Sequence, residues 1–206
     1  MSRDPARAAS QFFGGRVCLD FANTLDWRLT DSPVELIPDY PALLAWSEQR
    51  GTVPARAAAR LKARGASRTA AEAVLREAHL LRTQIWAIAE DLIGRRRARL
   101  SSLNRRLAEL PSQPGLRSGG NCYVFELDGT DLRQPLWPVL WSLTAVLASE
   151  DAARVGSCRA EGCGWYFIDE SPGHSRVWCS SEICGNRARV RRAYAKRRSQ
   201  PKSAIE

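Results

Sequence analysis

Four cysteines near the C-terminus constrain this chain more than any other feature of its sequence. Cys158 and Cys163 form one pair, Cys179 and Cys184 form a second, each pair encloses four residues, and fifteen residues separate the pairs. Zn²⁺ prefers four soft ligands at the corners of a tetrahedron, and two short cysteine loops are a usual way to supply them. The spacing therefore predicts one zinc ion held by these four thiolates.

The residues around the two pairs predict a zinc finger of the treble-clef type. Glycines flank Cys163, where a tight metal knuckle can require a backbone with positive φ. We expect a strand at 165–169, a turn at 171–174, a returning strand at 176–179 and Cys184 in the first turn of a final helix. Two redox pairs or chance spacing are the alternatives, but they do not account for the intervening glycines and hairpin. A four-thiolate site has no open coordination position, so the zinc is expected to be structural.

A strongly basic segment follows the last cysteine. Residues 185–202 contain eight Lys/Arg and no acidic residue, in a chain whose net charge is +9. Such a run is commonly a solvated helix face or a disordered tail. Here Ile183, Val190, Ala193 and Tyr194 recur at helical spacing, which predicts a helix packed on the finger by this apolar stripe. Its cations would then face a polyanion.

We expect this segment to bind nucleic acid, with duplex DNA the first candidate. Six phosphate contacts would make log K fall with log salt at a slope of roughly −5. Phosphate contacts supply affinity without sequence choice, and Asn186 either reads a base or caps backbone groups. An RNA partner and a zinc-stabilised protein-interaction module are the alternatives. The candidate contact residues are Arg176, Asn186, Arg187, Arg189, Arg191, Arg192, Lys196, Arg197 and Arg198.

Start and stop signals in the first half of the chain predict a series of helices. Thr69 and Glu72 form a capping box, which opens the longest of them. Its apolar residues repeat at helical spacing and should face a core: Val74, Leu75, Ala78, Leu81, Ile85, Ile88, Ala89 and Leu92. The expected helices are at 18–25, 39–51, 54–65, 69–94 and 100–110.

A hairpin and an interior helix are expected next. Residues 122–127 have strand composition, Asp128 and Gly129 are a hairpin turn signal, and Leu132 would begin the returning strand. Residues 136–147 are apolar almost all round, which places that helix inside the domain.

These elements predict an α+β chain of two domains. Residues 1–152 would form a mainly helical domain with a small β-hairpin, and residues 153–206 the zinc finger with its basic helix. The net charge favours an anionic partner but does not bear on the fold.

A small polar cluster interrupts the first apolar segment. Asp20, Asn23 and Thr24 are spaced to share one face of a helix. They are either a small-molecule site beside Trp27 and Trp46 or buried hydrogen-bonding partners that fix a helix to a loop. The second interpretation is preferred.

The sequence does not predict an enzyme. Its two histidines, His79 and His174, are far apart, and it has neither a phosphate-binding loop nor a paired His–Glu metal motif. Cys18 and Cys122 lie alone in apolar surroundings and are expected to be buried, inert thiols. Cysteines without an export signal, and no run of eighteen apolar residues, predict a cytoplasmic protein without a membrane span.

Two parts of the chain resemble a known bacterial family. Residues 178–190, Trp-Cys-Ser-Ser-Glu-Ile-Cys-Gly-Asn-Arg-Ala-Arg-Val, resemble the CGNR zinc-finger signature, apart from an unusual Pro-Gly-His turn at 172–174. Residues 19–24 and 39–46 resemble the ABATE domain that is usually joined to that finger. Members are assigned to stress-induced transcription regulation. The resemblance implies a DNA-binding regulator whose N-terminal domain senses a small-molecule effector or forms a homodimer.

Overall fold

The structure, a computed structural model, describes residues 11–64, 68–110, 115–118, 123–126 and 130–199. The helices are α1 (Val17–Ala22), α2 (Tyr40–Gln49), α3 (Ala55–Arg64), α4 (Arg68–Ile93), α5 (Ser101–Ala108), α6 (Trp137–Leu147) and α7 (Asn186–Ser199). The strands are β1 (Leu25–Asp26), β2 (Val34–Glu35), β3 (Gly115–Ser118), β4 (Tyr123–Glu126), β5 (Val155–Ser157) and β6 (Tyr166–Ile168). They pair in sequence order as three antiparallel hairpins, and turns of 3₁₀ type at Gln134–Leu136 and Glu150–Arg154 precede α6 and β5. The predicted α+β class is confirmed.

Helix α1 lies at the centre of the core. It has only six residues, too few to be stable alone, so burial must hold it in place. Cys18, Leu19 and Phe21 are at most 2% exposed, and the helix packs against α4 and α6. Burial raises the pKa of the Cys18 thiol to about 11, as expected for an inert buried cysteine. Cys122 lies outside the described residues.

The boundaries of α2 follow the sequence signals. Asp39 accepts a hydrogen bond from Ala42 N at 2.8 Å, Pro41 occupies the first turn, and Gly51 follows the helix with φ +73°. Asp39 thereby satisfies one of the backbone N–H groups that the start of a helix leaves free, and Gly51 adopts a conformation that favours glycine.

The start of α4 corrects one expectation. The helix already includes Arg68, so Thr69 lies inside it rather than capping it. Glu72 pairs with Arg68 one turn away, at 2.8 Å, which competes with the predicted capping box. The apolar stripe is confirmed, since Leu81 and Ile85 are fully buried. In the part of the chain that the structure describes, no helix combines the length and apolar character that a membrane span requires.

The central hairpin forms with a different partner from the one predicted. Strand β4 pairs with the preceding β3, with Gly115 opposite Glu126, rather than with a strand starting at Leu132. Asp131 Oδ1 accepts from Arg133 N at 2.8 Å, and this turn leads directly into the 3₁₀ turn. Residues 131–136 are therefore unavailable as a strand. The predicted turn at Asp128 and Gly129 lies outside the described residues.

Hairpin β5–β6 shares the core of the helices. Val155, Tyr166 and Ile168 are buried in the same cluster as α1 and α4. Ile168 N also donates to Gly14 O at 2.9 Å. The division at residues 152 and 153 stays a prediction, but the apolar core crosses it.

Candidate zinc centre and basic helix

The four predicted cysteines converge on one point. Their sulfur atoms all lie within 4.8 Å of one another, with Cys163 Sγ 3.8 Å from Cys179 Sγ and Cys179 Sγ 3.5 Å from Cys184 Sγ. A tetrahedral Zn²⁺ with Zn–S bonds of about 2.3 Å separates neighbouring sulfurs by roughly 3.8 Å. The four thiolates, each at most 4% exposed, therefore fit a single structural zinc ion.

The first cysteine pair sits on a knuckle between β5 and β6. Cys158 N donates to Trp165 O at 2.7 Å and Cys163 N donates to Ala160 O at 3.0 Å, which closes the loop. Gly162 and Gly164 have φ of +79° and +69°, so the predicted need for glycine is confirmed.

The loop between β1 and β2 presses against this knuckle. A Cβ atom on Gly162 would lie 2.5 Å from Thr30 Cγ2, and one on Gly164 would lie 2.7 Å from Leu29 Cγ. Leu29 N also donates to Gly162 O at 3.2 Å. Both glycines are thus required twice, for their backbone conformation and for this close approach.

The second pair lies on the turn that enters α7. Ser180 Oγ accepts from Ile183 N at 3.2 Å, and Gly185 N donates to Ser180 O at 3.0 Å. These bonds fix the helical turn Ser181–Gly185, in which Cys184 faces the other sulfurs as predicted.

The strand pairing of the finger differs from the prediction. Strand β6 pairs with β5, on the other side of the knuckle, with Gly156 opposite Phe167. Residues 176–179 were expected to form the returning strand, but they follow a tight turn organised by Asp169. That carboxylate accepts from Ser171 N at 2.9 Å and from Arg176 N at 2.9 Å, which diverts the chain away from β6.

The charges of the cluster favour a bound cation. The pKa of Cys158 is lowered because the thiols of Cys163, Cys179 and Cys184 donate to its sulfur. The pKa of Cys184 is lowered as well, whereas the pKa values of Cys163 and Cys179 are raised, first by their hydrogen bonds to Cys158, because additional thiolates would be repelled by those already present. A divalent cation removes that repulsion, because metal coordination deprotonates thiols.

Arg187 belongs to the zinc centre rather than to the free surface of α7. Its Nη2 donates to Cys184 Sγ at 3.5 Å, and its guanidinium lies 4.2 Å from the ring centroid of Trp27. The cation offsets the negative thiolate cluster while the indole holds it in place. Trp27 itself has φ +54°, and its contact with Arg187 joins the β1–β2 loop to α7.

Arg176 also differs from its predicted role. Its guanidinium donates to the backbone carbonyls of Phe13, Ile168, Trp178 and Cys179 and stacks 4.3 Å from the ring centroid of Phe167. These bonds occupy the side chain inside the finger, so it is not positioned to contact phosphate. It instead ties the turn after β6 to the chain segment before α1.

The remaining predicted cations lie together on α7. Every residue from Arg189 to Arg198 is exposed, and Asn186 is exposed at the start of the helix. The expected packing of the apolar stripe is wrong: Val190 is 46% exposed and Tyr194 is 65% exposed, while only Ile183 packs against the finger. The reason is geometric, since the helix departs from the finger after its first turn. Arg189 Nη2 donates to Ser181 O at 3.3 Å, and Arg191 contacts Glu161.

The polar cluster of α1 faces inward. Asp20 accepts from Gly14 N at 2.8 Å and from Arg50 Nε at 2.7 Å, and burial raises the pKa of this carboxyl group. Asn23 Oδ1 accepts from Tyr166 N at 2.8 Å, and its Nδ2 donates to Tyr166 O at 2.9 Å. These bonds match the structural interpretation of Asp20 and Asn23.

The other members of that candidate ligand site have contacts of their own. Thr24 Oγ1 donates to Phe21 O at 2.7 Å and accepts from Arg82 at 3.0 Å. Trp46 is 2% exposed and packs against Phe12 and Phe21. Trp27 lies instead at the zinc centre, against Arg187.

Sequence reasoning missed one residue that positions the finger. Arg28 Nη2 donates to Gly164 O at 3.0 Å and to the Tyr166 hydroxyl at 2.7 Å, and its guanidinium lies between Trp86 and Tyr166. The sequence carries no signal for this contact, since an arginine next to a tryptophan is common and the residues that Arg28 contacts are distant in sequence.

Comparison with known families supports both halves of this arrangement. The model of the CGNR zinc finger matches residues 154–197. The ABATE model, described as "Putative stress-induced transcription regulator", matches residues 15–150, about two thirds of the chain. No curated protein matches the sequence.

Proposed function

The chain belongs to the ABATE family, and from that premise we propose that it is a transcription regulator that binds duplex DNA through α7. The CGNR zinc finger holds this helix at its first turn. The observation that carries the proposal is the uninterrupted exposure of Arg189–Arg198 in a helix without an acidic residue.

Helix α7 has dimensions that suit a DNA groove. Fourteen residues span roughly 21 Å at 1.5 Å per residue. The major groove of B-DNA is about 12 Å wide and admits one α-helix. Because every residue from Arg192 to Arg198 is exposed, beyond the contacts that Arg189 and Arg191 make with Ser181 and Glu161, the helix can enter a groove without moving the rest of the protein.

The distribution of charge also favours a polyanionic partner. Six exposed cations remain after Arg176 and Arg187 are assigned to the finger: Arg189, Arg191, Arg192, Lys196, Arg197 and Arg198. Several lie three or four residues apart, as Arg192 and Lys196 do, so they repel one another along the helix. Phosphates on both sides of a groove would neutralise them and release counterions.

A salt titration tests this proposal. Fluorescence anisotropy with a labelled duplex should give a plot of log K against log salt with a slope of roughly −5 for six phosphate contacts. Replacing Arg192, Arg197 and Arg198 by Gln should reduce the slope by about 3 and weaken binding at low salt.

The matched control removes three exposed cations from α3. The variant with Arg56, Lys62 and Arg64 replaced by Gln loses the same net charge far along the chain from α7. It should bind DNA nearly as the wild type does. Equal losses in both triple variants, or no DNA binding by the wild type at low salt, would contradict the assignment to α7.

A protein partner is the second candidate, and the exposed Val190 and Tyr194 favour it. Replacing both by Ser leaves every cation in place. If the regulator binds DNA through its charges, this double variant should retain the salt slope. A partner protein that binds through the apolar side chains would be lost in the double variant and retained in the triple Arg variant.

The family also suggests a regulatory input to the helical part of the chain. Either a small-molecule effector or a second copy of this chain would supply that input. Sedimentation of the zinc-loaded protein measures whether it forms a homodimer. We assign no reaction to the protein, because a four-thiolate metal centre has no open position and the Cys18 thiol is fully buried.

A further inference from the structure

A basic cavity lies beside hairpin β5–β6, between the end of α4 and the zinc knuckle. Its volume is about 720 Å³, and it is bounded by the C-terminal end of α4, the turn Glu150–Arg154 and the turn after β6. Small-molecule sites commonly enclose about 300–1,000 Å³. The basic side chains that line it are Arg95, Arg96, Arg154, Arg159, Arg176 and His174.

The charge of the lining is strongly positive. Asp169 is the acidic residue of the lining, and it is engaged by Ser171 N and Arg176 N. Arg96 pairs with Asp91 at 2.9 Å and Arg154 pairs with Glu150 at 3.3 Å. Even when those two partners are counted, the lining carries five guanidinium groups against three carboxylates, although that of Arg176 is held by backbone carbonyls.

Two of the arginines are available to a ligand. Within residues 11–64, 68–110, 115–118, 123–126 and 130–199, the guanidinium groups of Arg95 and Arg159 make no hydrogen bond or ion pair. Both side chains belong to exposed residues. A phosphate group carries about 1.5 to 2 negative charges at neutral pH, which two guanidinium groups can balance.

The backbone around the cavity is strained. Among the described residues, three that are not glycine have left-handed φ, and two of them, Arg95 at +53° and His174 at +46°, line this cavity. Such conformations cost of order 1 kcal/mol and tend to persist where function requires them. Here they place a cation and an imidazole at the rim.

The cavity also has an apolar wall. Leu92 and Ile93, at the end of α4, line it together with the buried ring of Phe167 on β6. Gly156 allows that ring to approach, since a Cβ atom there would lie 2.8 Å from it. A ligand with an apolar or ring-shaped body and an anionic group fits this combination better than a free inorganic ion does.

We propose that this cavity binds a small organic phosphate, with Arg95 and Arg159 as its principal phosphate contacts. The site is independent of DNA binding by α7. It lies between the long helix of the core and the zinc knuckle, since Arg159 directly follows the ligand Cys158. A bound phosphate would therefore bridge the helical part and the finger.

Thermal-shift and calorimetric titrations of the zinc-loaded full chain test the proposal. The probes are AMP, ATP and glucose 6-phosphate at millimolar concentration, with adenosine as the phosphate-free counterpart and citrate as a polycarboxylate. At least one organic phosphate should raise Tm while adenosine does not. Arg95→Gln and Arg159→Gln should each weaken its binding by about tenfold or more.

The control variant separates this cavity from the basic helix. Arg192→Gln removes an exposed cation of α7 and should leave phosphate binding unchanged. An equal loss in Arg192→Gln would move the anion to α7, and no shift with any phosphate would remove the site. Citrate binding as tight as that of the best phosphate would overturn the choice of phosphate.

The same variants distinguish failure of this proposal from failure of the proposed function. Arg95→Gln and Arg159→Gln should keep one zinc per chain and most of the DNA affinity. If these variants lose phosphate binding but still bind DNA, the phosphate is assigned to the cavity. If the wild type binds phosphate but no DNA, the proposed function fails and the cavity proposal stands.

Discussion

At the scale of the residue, the side chain of Asn23 takes the place of a neighbouring strand beside β6. Its amide gives and receives the two hydrogen bonds that a neighbouring strand would exchange with Tyr166, at 2.9 and 2.8 Å. Both residues are buried, at 3% and 0% exposure. Since buried backbone groups must be paired, this one side chain fastens β6 to α1.

Replacing Asn23 by Ala should therefore destabilise the whole protein. Two buried backbone groups of Tyr166 lose their partners, at about 1–3 kcal/mol each, so the free energy of unfolding should fall by roughly 2–6 kcal/mol. Urea denaturation of the zinc-loaded protein measures it. The control Asn104→Ala, on the exposed side of α5, should change stability by less than about 0.5 kcal/mol. A comparably small change at Asn23 would contradict the bridging role and revive the ligand-site interpretation.

At the scale of the element, α7 is held mainly at its base, and Arg191 adds an exposed contact with Glu161. The turn Ser181–Gly185 before it carries Cys184, Arg187 in its first turn donates to that sulfur, and no residue from Arg189 to Arg198 is buried. Isolated helices of this length are marginal in water, and like charges three or four residues apart cost about 0.2–0.5 kcal/mol per pair. A polyanion that neutralises these charges should stabilise the helix as it binds.

The variant Arg192→Glu should separate helix stability from DNA affinity. Glu at this position can pair with Lys196 and Arg189, one turn away on either side, so the free helix should gain stability. It also places a negative charge toward phosphate, so DNA binding should weaken. Hydrogen exchange of amides 189–198 should slow in the free variant, whereas in the wild type it should slow only when duplex DNA is added. Equal protection in free wild type and variant would mean that charge repulsion does not limit the helix.

The elements that local chemistry specifies were predictable, and those that depend on distant partners were not. Asp39 and Pro41 mark the start of α2, and the zinc ligands follow from their spacing, because each signal lies within a few residues. The pairing of β6 with β5 was missed because Val155–Ser157 are too few to show alternation. The exposure of Tyr194 was missed for a related reason: helical periodicity identifies a stripe, but another element must be present to cover it.

In the whole molecule, the zinc centre and the helical core share hairpin β5–β6. Tyr166 and Ile168 are fully buried against the helices, and the knuckle that carries Cys158 and Cys163 closes the same hairpin. The finger therefore shares its core with the helical part of the chain. Its two halves depend on different supports: β5–β6 on the core, and the segment from Cys179 to the end of α7 on the metal.

Removing zinc should then release the two halves unequally. Metal coordination contributes on the order of 10–16 kcal/mol to the folding of small fingers, so its loss should free residues 179–198, which have little other support. Strand β6 should stay protected, because Asn23 and α1 still hold it. Hydrogen exchange after treatment with a chelator measures both segments, and Cys184→Ser provides the same test without a chelator. DNA binding should disappear while the helical core still melts cooperatively. Simultaneous loss of protection in β6 and α7 would mean that the metal supports the entire core. Native protein that contains no zinc and has four freely titrating thiols would contradict the metal centre itself.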